Sequence, residues 1–253
     1  MVVSNMRKSI SWIFNRRTLL SIVLIFLVIP GTVIAALMLF DQNRGQNRYY
    51  FIVSLLMILY ILVPFFMVFE KRKPQARELI LIAVLTALAV VGRWVFFWAP
   101  QFKPTAAIVI LTGACLGPEA GFLTGALSMF VSNFTFGQGP NTPWQMAGMG
   151  VLGFLAGLLF YKDFLPKKRL PLCLYGGPAA MMIYGLWVDL GTAMLAAQGF
   201  SLGMWLTTIL SGIVFNVIHG VATVVFLLLF SGAMVDILER IKRKYGLIEV
   251  RDG

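Results

Sequence analysis

The residues with the most chemistry to offer crowd into one short stretch. From Phe134 to Met146 the chain sets three aromatic rings (Phe134, Phe136, Trp144) among three carboxamides (Gln138, Asn141, Gln145), with Gly137, Gly139, Pro140 and Pro143 between them. Rings of this kind stack on flat ligands, and carboxamides both donate and accept hydrogen bonds. The glycines and prolines interrupt regular structure and set the stretch in a loop. A plain polar turn needs neither the rings nor the glutamines, so the stretch is expected to form the lid and floor of a small-molecule site.

Few other polar groups fall inside apolar sequence. Arg93, Asn133, Asp189, Asn216 and His219 do, and each requires a partner, because an unpaired charge or amide in hydrocarbon is expensive. For Arg93 and Asp189 a mutual ion pair, ligand contact and reach to water all stay open. Asn216 and His219 stand one helical turn apart, suited to an interhelical hydrogen bond or to the floor beneath a deep ligand.

Much chemistry is excluded. There is no G-x-x-x-x-G-K-[ST] phosphate loop, no H-E-x-x-H and no calcium loop, and there is one histidine in the whole chain. Cys115 and Cys173 lack C-x-x-C spacing and read as packing residues. No catalytic residue, metal or cofactor is expected.

The elements that hold these residues are membrane helices. The chain is 59% hydrophobic and 12% charged, with continuous apolar runs long enough for a hydrocarbon core of about 30 Å. Continuous runs exclude a β-barrel, which alternates polarity, so the fold class is an all-α integral membrane protein. The net charge of +11 sits in clusters flanking the spans, which points to orientation in a membrane and not to nucleic acid.

Residues 1–76 predict an accessory transmembrane hairpin, Thr18 to Phe40 and Tyr49 to Phe69, with basic flanks. Its first run is too long for a cleaved signal peptide. From Leu79 the style changes: small residues recur four apart at Ala83 and Ala87, Gly113 and Gly117, Gly121 and Gly125, Gly153 and Gly157, which lets helices approach closely. Residues 77–253 therefore form the core and a basic tail, with spans at Leu79 to Phe97, Thr105 to Leu116, Ala120 to Phe134, Pro143 to Tyr161, Leu170 to Leu195 and Trp205 to Leu229. Basic clusters at Arg77, Lys167 to Arg169 and Arg240 to Lys244 mark one side, whereas the opposite connections hold a single basic residue, Lys103. Both termini are expected in the cytoplasm.

Six helices, the first carrying the Ala83-x-x-x-Ala87 pattern, the Leu116-Gly117-Pro118-Glu119-Ala120-Gly121-Phe122 turn and the segment Gly137 to Met146 together resemble the S component, the substrate-binding membrane subunit, of energy-coupling factor (ECF) transporters. The aromatic segment is the most specific part and is similar to a cobalamin-specific subgroup. The resemblance implies capture of a vitamin, with cobalamin or another corrinoid first and a smaller heteroaromatic vitamin or precursor second. It also implies a site drawn from Gln101, Phe102, Asn133, Phe134, Phe136, Gln138, Asn141, Trp144, Gln145, Asp189 and Asn216. Ala83 and Ala87 would mark the face that docks on a transmembrane coupling subunit, itself joined to two ATPase subunits. A membrane-embedded enzyme and a ligand-free scaffold are the competing readings. An enzyme would need clustered ionisable groups, and Asp189, Glu119 and His219 are scattered over separate helices.

Overall fold

The computed structural model describes residues 76–161, 163–197 and 201–245, together with Val23 and Gly31. The predicted hairpin of residues 1–76 lies outside the described residues apart from those two and Ala76. The described chain is helical, with no strand among the described residues. Helix α1 spans Ala76–Val95, α2 Thr105–Leu116, α3 Pro118–Phe136 and α4 Thr142–Phe160. Helix α5 (Arg169–Pro178) continues through a π-helical stretch, Ala179–Gly185, into α6 (Leu186–Ala197), and α7 runs from Leu202 to Tyr245.

Among the described residues four helices are long and apolar enough to cross a bilayer: Ala76–Val95, Thr142–Phe160, Arg169–Ala196 and Leu202–Tyr245. Turn chemistry sets the boundaries between them. Gly117 takes φ 108°, a conformation that side chains resist, and Pro118 starts α3 where its missing N–H is not needed. Pro104 closes the connection into α2 and lies where a Cβ on Gly92 would fall.

Helices α2, α3 and α4 form a slab in which backbone meets backbone. A Cβ placed on Gly113 or Gly121 would strike the Gly153 carbonyl, one on Gly125 the Met149 carbonyl, and one on Gly157 the Pro118 backbone. Glycine is therefore required for the spacing itself. Every residue of α2 is buried, which is how a 12-residue helix, too short to span, sits at the centre of the bundle.

Two features depart from expectation. Helix α7 continues well past the expected end at Leu229, because the following segment keeps an apolar side. Its Leu238 packs with Ile82, Leu85, Leu116, Ala120 and Leu123 at the far end of the bundle. At 44 residues α7 is about 66 Å long, twice the hydrocarbon thickness. The segment expected as one regular helix from Leu170 to Leu195 contains Pro178, which offers no backbone donor, and the π-helical stretch begins directly after it.

Candidate functional site

One end of the bundle carries the connections at residues 96–104 and 137–141 and is rich in rings. At this aromatic end Asn133, 2% exposed, is a hub. Its Oδ1 accepts from Arg93 Nη1 at 2.7 Å, and its Nδ2 donates to Thr142 Oγ1 at 3.1 Å and to Gln145 Oε1 at 2.9 Å. Arg93 also donates to Ser132 Oγ. One amide thus fixes α1, α3 and α4 relative to each other with no polar atom of its own left over, as burial demands.

Two cations flank one ring beside this hub. The Arg93 guanidinium lies 4.5 Å and the Lys103 ammonium 5.4 Å from the centre of Phe136, within cation–π range. Lys103 is brought there by a tight turn in which Gln101 adopts φ 57° and Phe102 N–H donates to the Pro100 carbonyl at 2.8 Å. Phe102 then packs on Phe96 and Phe226, at 6.3 and 5.4 Å between ring centres. Burial first, and the Arg93 charge second, hold the Lys103 ammonium below its ordinary pKa.

From the other side the π-helical stretch supplies Tyr184, set edge-on to His219 at 5.0 Å with its hydroxyl 3.8 Å from Met129 Sδ. His219 is buried. Met129 stands one helical turn before Asn133 on α3, so Tyr184 and His219 lie next to the hub. Arg93, Lys103, Asn133, Phe136, Tyr184 and His219 therefore converge from α1, the 96–104 connection, α3, the π-helical stretch and α7.

The remaining expected site residues fall into three settings. Trp144 is buried against Trp187, 5.4 Å between ring centres, and Gly191 leaves the room its indole fills. Asn141 donates to Thr192 Oγ1 at 3.3 Å, while its Oδ1 and the Trp187 indole N–H are buried without a partner among the described residues. Asp189 accepts from Asn216 Nδ2 at 2.7 Å, against Gly212. Phe134 is turned away, 69% exposed and edge-on to Phe130 at 5.2 Å, and Gln138 is exposed and donates to the Phe130 carbonyl at 2.8 Å.

The ion pair considered for Arg93 and Asp189 does not form, since each has nearer neutral partners. Sequence reasoning passed over Ser132, Tyr184 and Trp187 and gave Lys103 no role beyond orientation. The signal for Lys103 was its isolation: one cation in connections otherwise free of them. Tyr184 and Trp187 carried no such signal, because they lie in an ordinary apolar run.

The opposite, basic end is built differently. Lys167 Nζ lies 3.1 Å from Asp163 and 3.0 Å from Glu239, and Lys242 is 3.6 Å from Glu239. Lys242 also stands over Tyr161 at 4.7 Å, and Arg77 over Tyr245 at 5.2 Å. Along α1, Ala83 and Ala87 lie exposed on an outward stripe with Ile80, Val84, Leu88 and Val91. Among the described residues no group of three His, Cys, Asp or Glu is placed to hold a metal.

Comparison with known proteins bears on these features. Residues 73–236 match the family model described as the S component of an ECF-type riboflavin transporter. A UPF0397 protein of Vibrio atlanticus is 30% identical over 105 residues, covering 39% of this chain and 57% of its own length. One of Aliivibrio salmonicida is 30% identical over 106 residues, covering 40% and 56%. The chain thus spans little more than half the length of these curated relatives. No solved structure gives a significant match.

Proposed function

Because the chain belongs to the ECF-type riboflavin transporter S-component family, a family of multi-pass membrane subunits, we propose that it captures a flat heteroaromatic vitamin at the outer face of the cell membrane. The aromatic end receives the ligand, and both termini lie in the cytoplasm. The single observation that carries this reading is the convergence of Arg93, Phe136, Asn133, Tyr184 and His219 at one end of the bundle. That arrangement has ring faces and hydrogen-bonding groups but no carboxylate pair or nucleophile with its base, so it suits binding and not turnover.

Riboflavin or a related flavin is the first candidate, supported by the family description. The corrinoid alternative drew its support from three carboxamides and three rings in the 134–146 stretch. Gln145 and Gln138 are engaged with protein partners, Trp144 is buried and Phe134 faces outward. What remains suits a compact ring better than a wide macrocycle edged with amides.

Delivery inward proceeds through the family's coupling subunit and two ATPases, with residues 1–76 as a peripheral hairpin. The exposed stripe around Ala83 and Ala87 supports α1 as the docking face, because small residues admit a second helix backbone. Replacing both with Trp is expected to abolish co-purification of the coupling subunit with ligand affinity intact; an undiminished yield rejects that face.

Isothermal titration of the purified protein with riboflavin, cobalamin, cobinamide and smaller vitamins tests the ligand. Saturable riboflavin binding at about micromolar Kd or tighter, roughly −8 kcal/mol, supports the reading. Corrinoid binding without flavin binding reverses the order of the two candidates, and no vitamin binding at all rejects ligand capture.

A further inference from the structure

The cations of the aromatic end have no counter-charge. Arg93 uses Nη1 on two neutral oxygens, Ser132 Oγ and Asn133 Oδ1, and rests on Phe136. Lys103 shares that ring and forms no ion pair or hydrogen bond through its ammonium with the described residues. Both side chains are partly buried. The acids of the described chain are elsewhere: Asp189 is engaged with Asn216, Asp163 and Glu239 are spent on the basic end, Glu78 and Glu119 stand in the first turns of α1 and α3, and Asp236 lies on α7 three residues before Glu239. The other titratable groups facing the pair, Tyr184 and His219, bring no negative charge in their neutral forms.

Two like charges on one ring, withdrawn from water and close enough to oppose each other, form an unfavourable arrangement by themselves. The oxygens around them are neutral and already engaged. An anion lying against both would remove the repulsion and supply the acceptors that a guanidinium fork and an ammonium prefer. We propose that Arg93 and Lys103 form a subsite for an anionic group, a carboxylate or phosphate, on the captured soluble ligand, with Phe136 holding both cations in place. The subsite rests on the ligand-capture reading for its occupant's being soluble, and it does not require that occupant to be a flavin.

Amine acylation of the full chain in phosphatidylcholine nanodiscs, read by mass spectrometry at Lys103 and at exposed Lys168, tests the subsite with pyrophosphate as the probe. Pyrophosphate at about 10 mM should slow Lys103 labelling about threefold or more against chloride of equal ionic strength, and leave Lys168 unchanged. Equal labelling at Lys103 overturns the proposal. Lys103 already protected by phosphatidylglycerol nanodiscs, with no further effect of pyrophosphate, assigns the cations to a lipid headgroup and also overturns it.

Titration with two matched pairs, nicotinate beside nicotinamide and riboflavin 5′-phosphate beside riboflavin, separates this inference from the flavin reading. The anionic member of any pair that binds should bind about tenfold more tightly, a preference that Lys103→Gln reduces to about threefold or less. Preference for the neutral member, or a preference untouched by Lys103→Gln, rejects the subsite even where flavins bind. Protection of Lys103 with no flavin binding rejects the flavin and keeps the subsite.

Discussion

The two ends of this bundle treat positive charge in opposite ways. At the basic end Lys167 and Lys242 close on Asp163 and Glu239, so the charges satisfy one another. At the aromatic end Arg93 and Lys103 both stand against the ring of Phe136, and no ion pair joins either to an acid among the described residues. The first arrangement is complete within the protein. The second leaves cationic donors free to meet something else, which is the physical difference on which the proposed binding end rests. Hydrogen bonding divides the aromatic end itself: Asn133 is saturated, whereas Asn141 Oδ1 and the Trp187 N–H are buried without a partner among the described residues.

The largest expected effect tests how much of the aromatic end is framework. Trp144 is buried between α4 and α6, and Trp144→Ala should lower stability by about 3 to 5 kcal/mol through the cavity it leaves. Denaturation in detergent measures this. A variant as stable as the parent would return Trp144 to the role of a ligand-facing ring.

Asn133→Leu comes next. It removes the acceptor for Arg93 and the donor to Thr142 and Gln145 at once, at about 2 to 3 kcal/mol, because a hydrogen bond to a charged group is lost and its partner stays partly buried. Ligand affinity should fall with it. Loss of stability without loss of affinity would separate the hub from the site.

At the basic end the effect should be smaller. Lys167→Ala removes a pair whose side chains are 11% and 22% exposed, and about 1 kcal/mol is expected after screening by solvent. A loss equal to that of Asn133→Leu would erase the contrast between the ends.

The finest test is alkaline titration. Burial opposes the Lys167 charge, but the Glu239 hydrogen bond and the Asp163 carboxylate outweigh it and raise its pKa above the ordinary 10.5. Its stabilisation is therefore complete below 10.5 and is lost only as pH rises through the higher folded value. The Lys103 pKa is lowered from 10.5, so its charge disfavours the fold while present and, as pH rises, is lost earlier than that of an ordinary lysine. Anion preference at the aromatic end should fade as pH rises through that lowered value, before the Lys167 pair weakens. Simultaneous loss, followed by binding and by thermal denaturation, would contradict the assignment of the two lysines.

The helices were legible because the forces that set them are local or periodic. Apolar runs placed α1 to α6 within a few residues, Gly117-Pro118 marked a chain reversal, and glycines four apart marked the α2–α4 slab. The end of α7 was misjudged because charge was read as tail, although Leu238 still packs on α1, α2 and α3. The site was legible only in outline. Spacing identified the 134–146 stretch as chemically rich, but whether a ring faces a ligand, a neighbour or the exterior depends on rotation about a helix axis fixed by tertiary contacts. Phe134 and Phe136, two residues apart, go to different surroundings for that reason. Tyr184 and Trp187 depend on the π-helical stretch after Pro178, which alters the register of everything beyond it.

The most direct measurement is a structure of the full chain in nanodiscs with riboflavin bound. The account predicts a flat ligand at the aromatic end, in contact with Phe136 and Tyr184 and within reach of Arg93 and Lys103, with the Ala83–Ala87 stripe uncovered. Ligand density at the basic end, or along the outward face of α1, would contradict it.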